Sequence, residues 1–167
     1  KTCQACHMPS PTMYKGRALT NIAPGKGGIE RTPARIHNHN MTVDTRLLRN
    51  SLSMKVLAKI SDGKARIEVT LTNDRTGHHI PTDSPLRHLI LLVSAKDSRG
   101  AALRQLSGHQ LPDWCGSDNA RNGHYAGHPG KAYAKILANK WNNEYPTAAY
   151  WDHTEIVSDN RLAALTS

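Results

Sequence analysis

Two of the chain's three cysteines and one of its ten histidines fall within five consecutive residues, Cys3-Gln4-Ala5-Cys6-His7. C-x-x-C-H is the spacing of a covalent c-type haem attachment site. Two thiols reach the vinyl groups on one edge of the porphyrin, and the next residue places an imidazole beneath the iron. Cys3 and Cys6 are therefore the expected thioether anchors of a haem c, and His7 the expected proximal ligand. Two other chemistries use the same residue types. A thioredoxin-like dithiol needs a strand before the motif and a helix after it, whereas only two residues precede Cys3, and Pro9 and Pro11 follow. A zinc site needs a second pair of ligands, which His37 and His39 of "HNH" would have to furnish.

The opposite face of the iron needs its own ligand. Candidates are His37 and His39 in "ARIHNHNMT", Met13, Met41 and the histidines of "TGHHIPT". Met8 adjoins His7 and cannot reach around the ring. The segment from residue 9 to 36 is broken by Pro and Gly, so it can wrap the edge of a disc without forming a helix. That favours His39 as the distal ligand, with His37 second. A His/His pair leaves iron six-coordinate, which suits electron transfer better than substrate binding, and a Met ligand would raise the potential.

The elements that hold these residues are read from periodicity. "DTRLLRNSL" (44–52) is one or two helical turns capped by Asp44. "MKVLAKI" (54–60) and "ARIEVTLTN" (65–73) flank "SDGK", a hairpin with one buried and one wet face. "RHLILLVSA" (87–95) reads as a central strand, "DSRG" (97–100) as a turn and "AALRQLS" (101–107) as the returning strand. "GKAYAKILANK" (130–140) carries apolar residues at helical spacing and reads as a short amphipathic helix, and "HTEIVSDNRL" (153–162) as a last strand. The expected fold is mainly β, with a β-sandwich-like domain at 53–167, an irregular haem-binding segment at 1–52 and one or two short helices.

Composition narrows the partners. Residues 1–60 hold ten Lys/Arg against two acids, and the remainder holds twelve against eleven, so nearly all of the net +9 lies in the first third. The basic residues are scattered singly, with no helix-turn-helix pattern and no aromatic platform, so nucleic acid is not expected. Haem propionates would offset part of the charge, and an acidic redox partner could use the rest for steering. The longest apolar run, "LILLV" at 89–93, is strand-sized, so no transmembrane segment is expected. With no Phe in the chain, a cofactor could supply missing apolar bulk. The chain opens without a start Met or a signal-peptide pattern, which reads as a processed chain or part of a longer one.

Two further stretches hold chemistry-bearing residues. "TGHHIPTDSP" (76–85) reads as a connection between strands rather than a hydrolytic site, because nothing places a nucleophile beside a base. The long loop at 108–130 brings His109, His124, His128 and Cys115, and reads first as surface. Cys115 has no mate once Cys3 and Cys6 hold haem.

Taken together, "CQACHMP", "HNHNM", the hairpin, "TGHHIPTDSPLRHLILLV", "AGHPGKAYAKIL" and "DNRL" resemble, over most of the chain, the multihaem c-type cytochromes related to the cytochrome c554 group. Many of those join a C-x-x-C-H-M-P site and a ligand histidine to a β-rich domain with a G-H-x-x-P-T element. The resemblance implies extracytoplasmic electron transfer, periplasmic or at the cell surface. It also implies a bis-histidine haem with His7 proximal and His39 matching the distal histidine, and a structural or haem-adjacent role for His78. The chain departs from the group in having one C-x-x-C-H and in ending soon after "DNRL". It therefore reads as a subunit or segment of a larger assembly, with other cytochrome subunits or copies of itself as partners and a sheet edge left for a partner strand. The expected role is that of an electron carrier rather than an enzyme. The alternatives are a haem enzyme or its accessory subunit in nitrogen- or sulfur-compound redox chemistry, and a non-redox assembly module stapled by haem.

Overall fold

The computed structural model describes residues 3–39, 45–82, 84–117 and 119–165. The chain divides into two compact units, Lys1–Arg49 and Asn50–Ser167. It is mainly β, with antiparallel strand pairs throughout and few helical turns.

The first unit is built almost without a core. Helix α1 (Cys3–His7) stops just before Met8 and Pro9, because a proline disfavours helical backbone at the residue preceding it. The short strands β1 (Met13–Tyr14) and β2 (Arg17–Ala18) form a tight hairpin, and α2 (Thr45–Arg49) ends the unit. The capping role expected of Asp44, and Met41 as a ligand candidate, lie outside the described residues. Chain closure is made by polar bonds. Thr12 donates both its backbone N–H and its hydroxyl to the Ile36 carbonyl, at 3.1 and 3.0 Å. The Arg31 N–H reaches the Thr20 carbonyl at 2.7 Å, and the Asn21 side chain spans Ala23 and Gly28. Among the described residues of this unit Ile36 alone is buried, whereas Tyr14, Ile22, Ile29 and Leu48 are each more than 60% exposed.

The second unit holds the remaining strands. β3 (Ser53–Ser61) and β4 (Lys64–Thr72) pair in full register from Ser53↔Thr72 to Ser61↔Lys64. Their turn places Asp62 and Gly63 at φ 52° and 69°, the left-handed pair that two-residue hairpin loops favour. The expected alternation is present in the pairing: Met54, Val56, Ala58 and Ile60 face Leu71, Val69, Ile67 and Ala65. Burial does not follow it: Met54 and Val56 of β3 are 63% and 51% exposed, and half-burial is reached on the β4 side, at Val69, Leu71 and Thr72. The three-stranded sheet approaches the Val69–Leu71 end, where a cleft of about 410 Å³ is lined by those residues, Tyr133 and the Asn160–Ala163 segment, while Ile60 at the other end is 83% exposed.

That sheet has the order β5 (His88–Leu92), β6 (Gly130–Asn139), β7 (Thr154–Asp159). It corrects three expectations. The 130–140 stretch is the central strand, not a helix. Both neighbours pair with it, and every residue from Ala132 to Asn139 is buried or half-buried. A short apolar run satisfies either period, and pairing on two sides overrides the helix propensity of its Ala, Lys and Leu residues. The 87–95 stretch is consequently an edge strand rather than a central one. The 101–107 stretch is no strand beyond one bridge, Lys96↔Ala102, closed over the expected Asp97–Gly100 turn. One face of β6 packs through Ala132 on Leu111 and Cys115, flanked by Ile90, Trp114 and Tyr125. The 108–130 loop thus covers the sheet instead of lying loose on the surface.

Candidate haem-attachment site

The three motif residues sit on one short helix at i, i+3 and i+4, the spacing that stacks side chains on a single helical face. Cys3, Cys6 and His7 are all exposed, and neither cysteine is in a disulfide. Two thiols one turn apart with an imidazole beside them match the donor set that a c-type haem requires.

What the sequence left open is how the second histidine segment is held. The backbone returns from Ile36 alongside the residues that follow α1. The Asn38 N–H donates to the Pro9 carbonyl at 3.0 Å, and His37 Nδ1 lies 2.8 Å from the Met8 carbonyl oxygen. A carbonyl can only accept, so Nδ1 is the donor in this bond and Nε2 is the nitrogen left to face a metal. That is the arrangement in which metal-ligating histidines are fixed by their outer hydrogen bond. His39 is exposed two residues further on. The structure therefore holds both distal candidates, His37 and His39, within two residues of a segment bonded to the end of the attachment motif. The bond to Met8 gives His37 an orientation that spacing alone did not reveal.

The rest of the unit fits such a group. Tyr14, Ile22, Ile29 and Leu48 leave most of their apolar surface exposed, and an apolar macrocycle is one way to remove it from water. Eight Lys/Arg against two acids in residues 1–49 would give the two propionates of a haem basic surroundings.

The other histidines and Cys115 lie in the second unit. His78 Nδ1 is 2.9 Å from the carbonyl of His79 next door, a local contact in a strand connection. This connection is organised by Asn73, which the sequence reading passed over. Asn73 is wholly buried; its amide donates to the carbonyls of His78 and Leu162 at 2.8 and 3.0 Å and accepts from the Thr76 hydroxyl at 2.6 Å. A polar residue at the end of an alternating strand, before "DRTGHH", was the available signal. Cys115 is 5% exposed in the core, and burial pushes its thiol pKa up. His124 fits against Gly116, and the His128 ring meets Tyr125 edge-on at 6.2 Å. Among the described residues no three His, Cys, Asp or Glu side chains gather as a metal-binding group, and no helix is long and apolar enough to cross a membrane. Asp83 of the 76–85 stretch lies outside the described residues.

The chain matches no protein-family model, no curated protein and no solved structure.

Proposed function

We propose that the chain is a c-type cytochrome subunit or segment that carries electrons through one covalently attached haem. The observation that supports this most is the pairing, in a unit whose described residues include one buried side chain, of Cys3, Cys6 and His7 on one helical face with a histidine segment bonded to Met8 and Pro9. Cys3 and Cys6 would hold the porphyrin edge, His7 one axial position, and His39 or His37 the other. When bound, the haem supplies a one-electron iron couple. The protein's part is to fix the ligands, cover the apolar macrocycle and present a basic surface. That surface steers an acidic redox partner and favours fast, salt-dependent encounter. Thioether attachment goes with an extracytoplasmic setting, and a single attachment motif with neighbouring haems on other cytochrome subunits or copies of the chain.

The test is the absorption spectrum and intact mass of the chain exported in a host that attaches haem c. One haem per chain, with a low-spin spectrum unmoved by carbon monoxide after reduction, is the expected result. Cys3→Ser with Cys6→Ser should abolish covalent attachment. Comparing His39→Ala with His37→Ala identifies the distal ligand, because only its removal opens the iron to carbon monoxide. A chain without haem bands refutes the proposal; a high-spin wild type that binds carbon monoxide refutes its bis-histidine form and supports the enzyme alternative.

A further inference from the structure

A second surface, remote in sequence from the haem motif, follows from four aromatic side chains left in water. Between β6 and β7 the loop 140–153 exposes Trp141 by 71%, Trp151 by 72%, Tyr150 by 62% and Tyr145 by 55%. Aromatic rings of this size contribute much of a core's apolar area, so several left out on one loop are a costly surface unless something covers it.

The loop is held rigidly. Asn139 is buried and ties both of its arms: Oδ1 accepts the Trp141 N–H at 2.9 Å, and Nδ2 donates to Asp152 at 2.9 Å. The Lys140 N–H closes the base on the His153 carbonyl at 2.9 Å, and buried Thr147 bonds Leu137 through its N–H and Glu144 through its hydroxyl. The rings are braced as well: Trp141 meets His153 edge-on at 6.3 Å, and Tyr150 meets Trp151 edge-on at 5.2 Å. Such a surface is organised before any ligand arrives, which lowers the entropy cost of binding.

Its chemistry selects the ligand. The loop has no Leu, Ile, Phe or Met to insert into lipid, and it lacks the Arg and Met that accompany Tyr and Trp at protein interfaces. Its one lysine, Lys140, is paired with Glu155 at 2.8 Å, and Glu144 and Asp152 make the loop locally acidic in a basic chain. Acidic surroundings repel phosphate, so neither nucleic acid nor an anionic membrane is suited. What fits flat rings beside carboxylates and the amides of Asn142 and Asn143 is a neutral ligand with an apolar C–H face and hydroxyls around its rim. A pyranose ring has both. Its C–H face lies against the electron-rich ring face, and its hydroxyls donate to carboxylate and carboxamide oxygens.

We propose that the 140–153 loop binds a neutral polysaccharide, stacking hexopyranose units on Trp141 and Trp151. The test is native affinity electrophoresis of the full chain through gels containing hydroxyethylcellulose or glycol chitin. Retardation in one or both is expected, the pair separating a plain glucan from an N-acetylated one. Trp141→Ala and Trp151→Ala should each weaken it at least tenfold, and Trp151→Phe should retain part of it. Both tryptophans are too exposed for truncation to leave a cavity, and half-buried Trp114 serves as an internal reporter of the fold in near-ultraviolet circular dichroism. Migration unchanged by either polymer, or retardation surviving the double alanine variant, would overturn the proposal. So would tryptophan-dependent sedimentation with phosphatidylglycerol vesicles in a chain that ignores both polymers.

Discussion

Replacing Asn73 by leucine tests whether the 76–85 connection is a structural clasp. The side chain has no exposure and makes three hydrogen bonds, two donated and one accepted. Leucine is close in size and makes none. The partners do not become orphans. The Thr76 hydroxyl keeps the His78 carbonyl at 2.9 Å, and the Leu162 carbonyl keeps the Ile80 N–H at 2.9 Å. The loss is therefore that of three bonds at about 0.5–1.5 kcal/mol each, or about 3 kcal/mol in all. For a unit of about 120 residues, with an unfolding entropy of about 2.1 cal/mol/K per residue, 1 kcal/mol corresponds to about 4 °C, so Tm should fall by about 12 °C. Thermal unfolding of the second unit followed by circular dichroism measures it. Asn73→Asp should be worse at pH 7, because both donors become oxygens facing carbonyls. Burial would raise that carboxyl's folded pKa above its unfolded value of about 3.9, so the variant's stability should be greatest in acid and fall as pH rises past about 4. A drop below about 3 °C for Asn73→Leu, or a pH-independent Asn73→Asp, would refute the clasp.

Two other expectations are quickly checked. In haem-free chain at neutral pH, iodoacetamide should label exposed Cys3 and Cys6 and leave buried Cys115, with its raised pKa, until the protein is denatured; peptide mass spectrometry reads the order, and rapid labelling of Cys115 would remove it from the core. Asp159 has its carboxyl pKa lowered chiefly by the hydrogen bond from the Arg161 side chain, at 2.6 Å, so Asp159→Asn should cost up to about 1 kcal/mol at pH 7 for this partly exposed pair. A depressed pKa stabilises above the unfolded value and is lost as pH falls through the folded one, so wild-type and variant Tm should converge below about pH 4.

The comparison of sequence with structure separates local from non-local information. The β3–β4 hairpin was legible because its register is fixed by an Asp-Gly turn and strict alternation, both local properties. The 130–140 segment was misread because its apolar spacing admits two periods, and only β5 and β7 on either side decide between them. The exposed hairpin tip was not legible either, since a pattern shows which face is apolar and not whether anything lies over it.

The same division runs through the candidate site. By itself the sequence determined the donor set: two thiols and an imidazole within five residues carry their chemistry in their spacing, because one helical turn brings them together. Tertiary structure alone decided that His37 and His39 lie beside that turn, which took closure of the 9–36 segment through bonds such as Thr12 to Ile36 and Asn38 to Pro9. It decided too that Cys115 is core and that Trp141 and Trp151 are surface. Burial depends on which distant segments pack together, and the pattern of a single segment does not contain that.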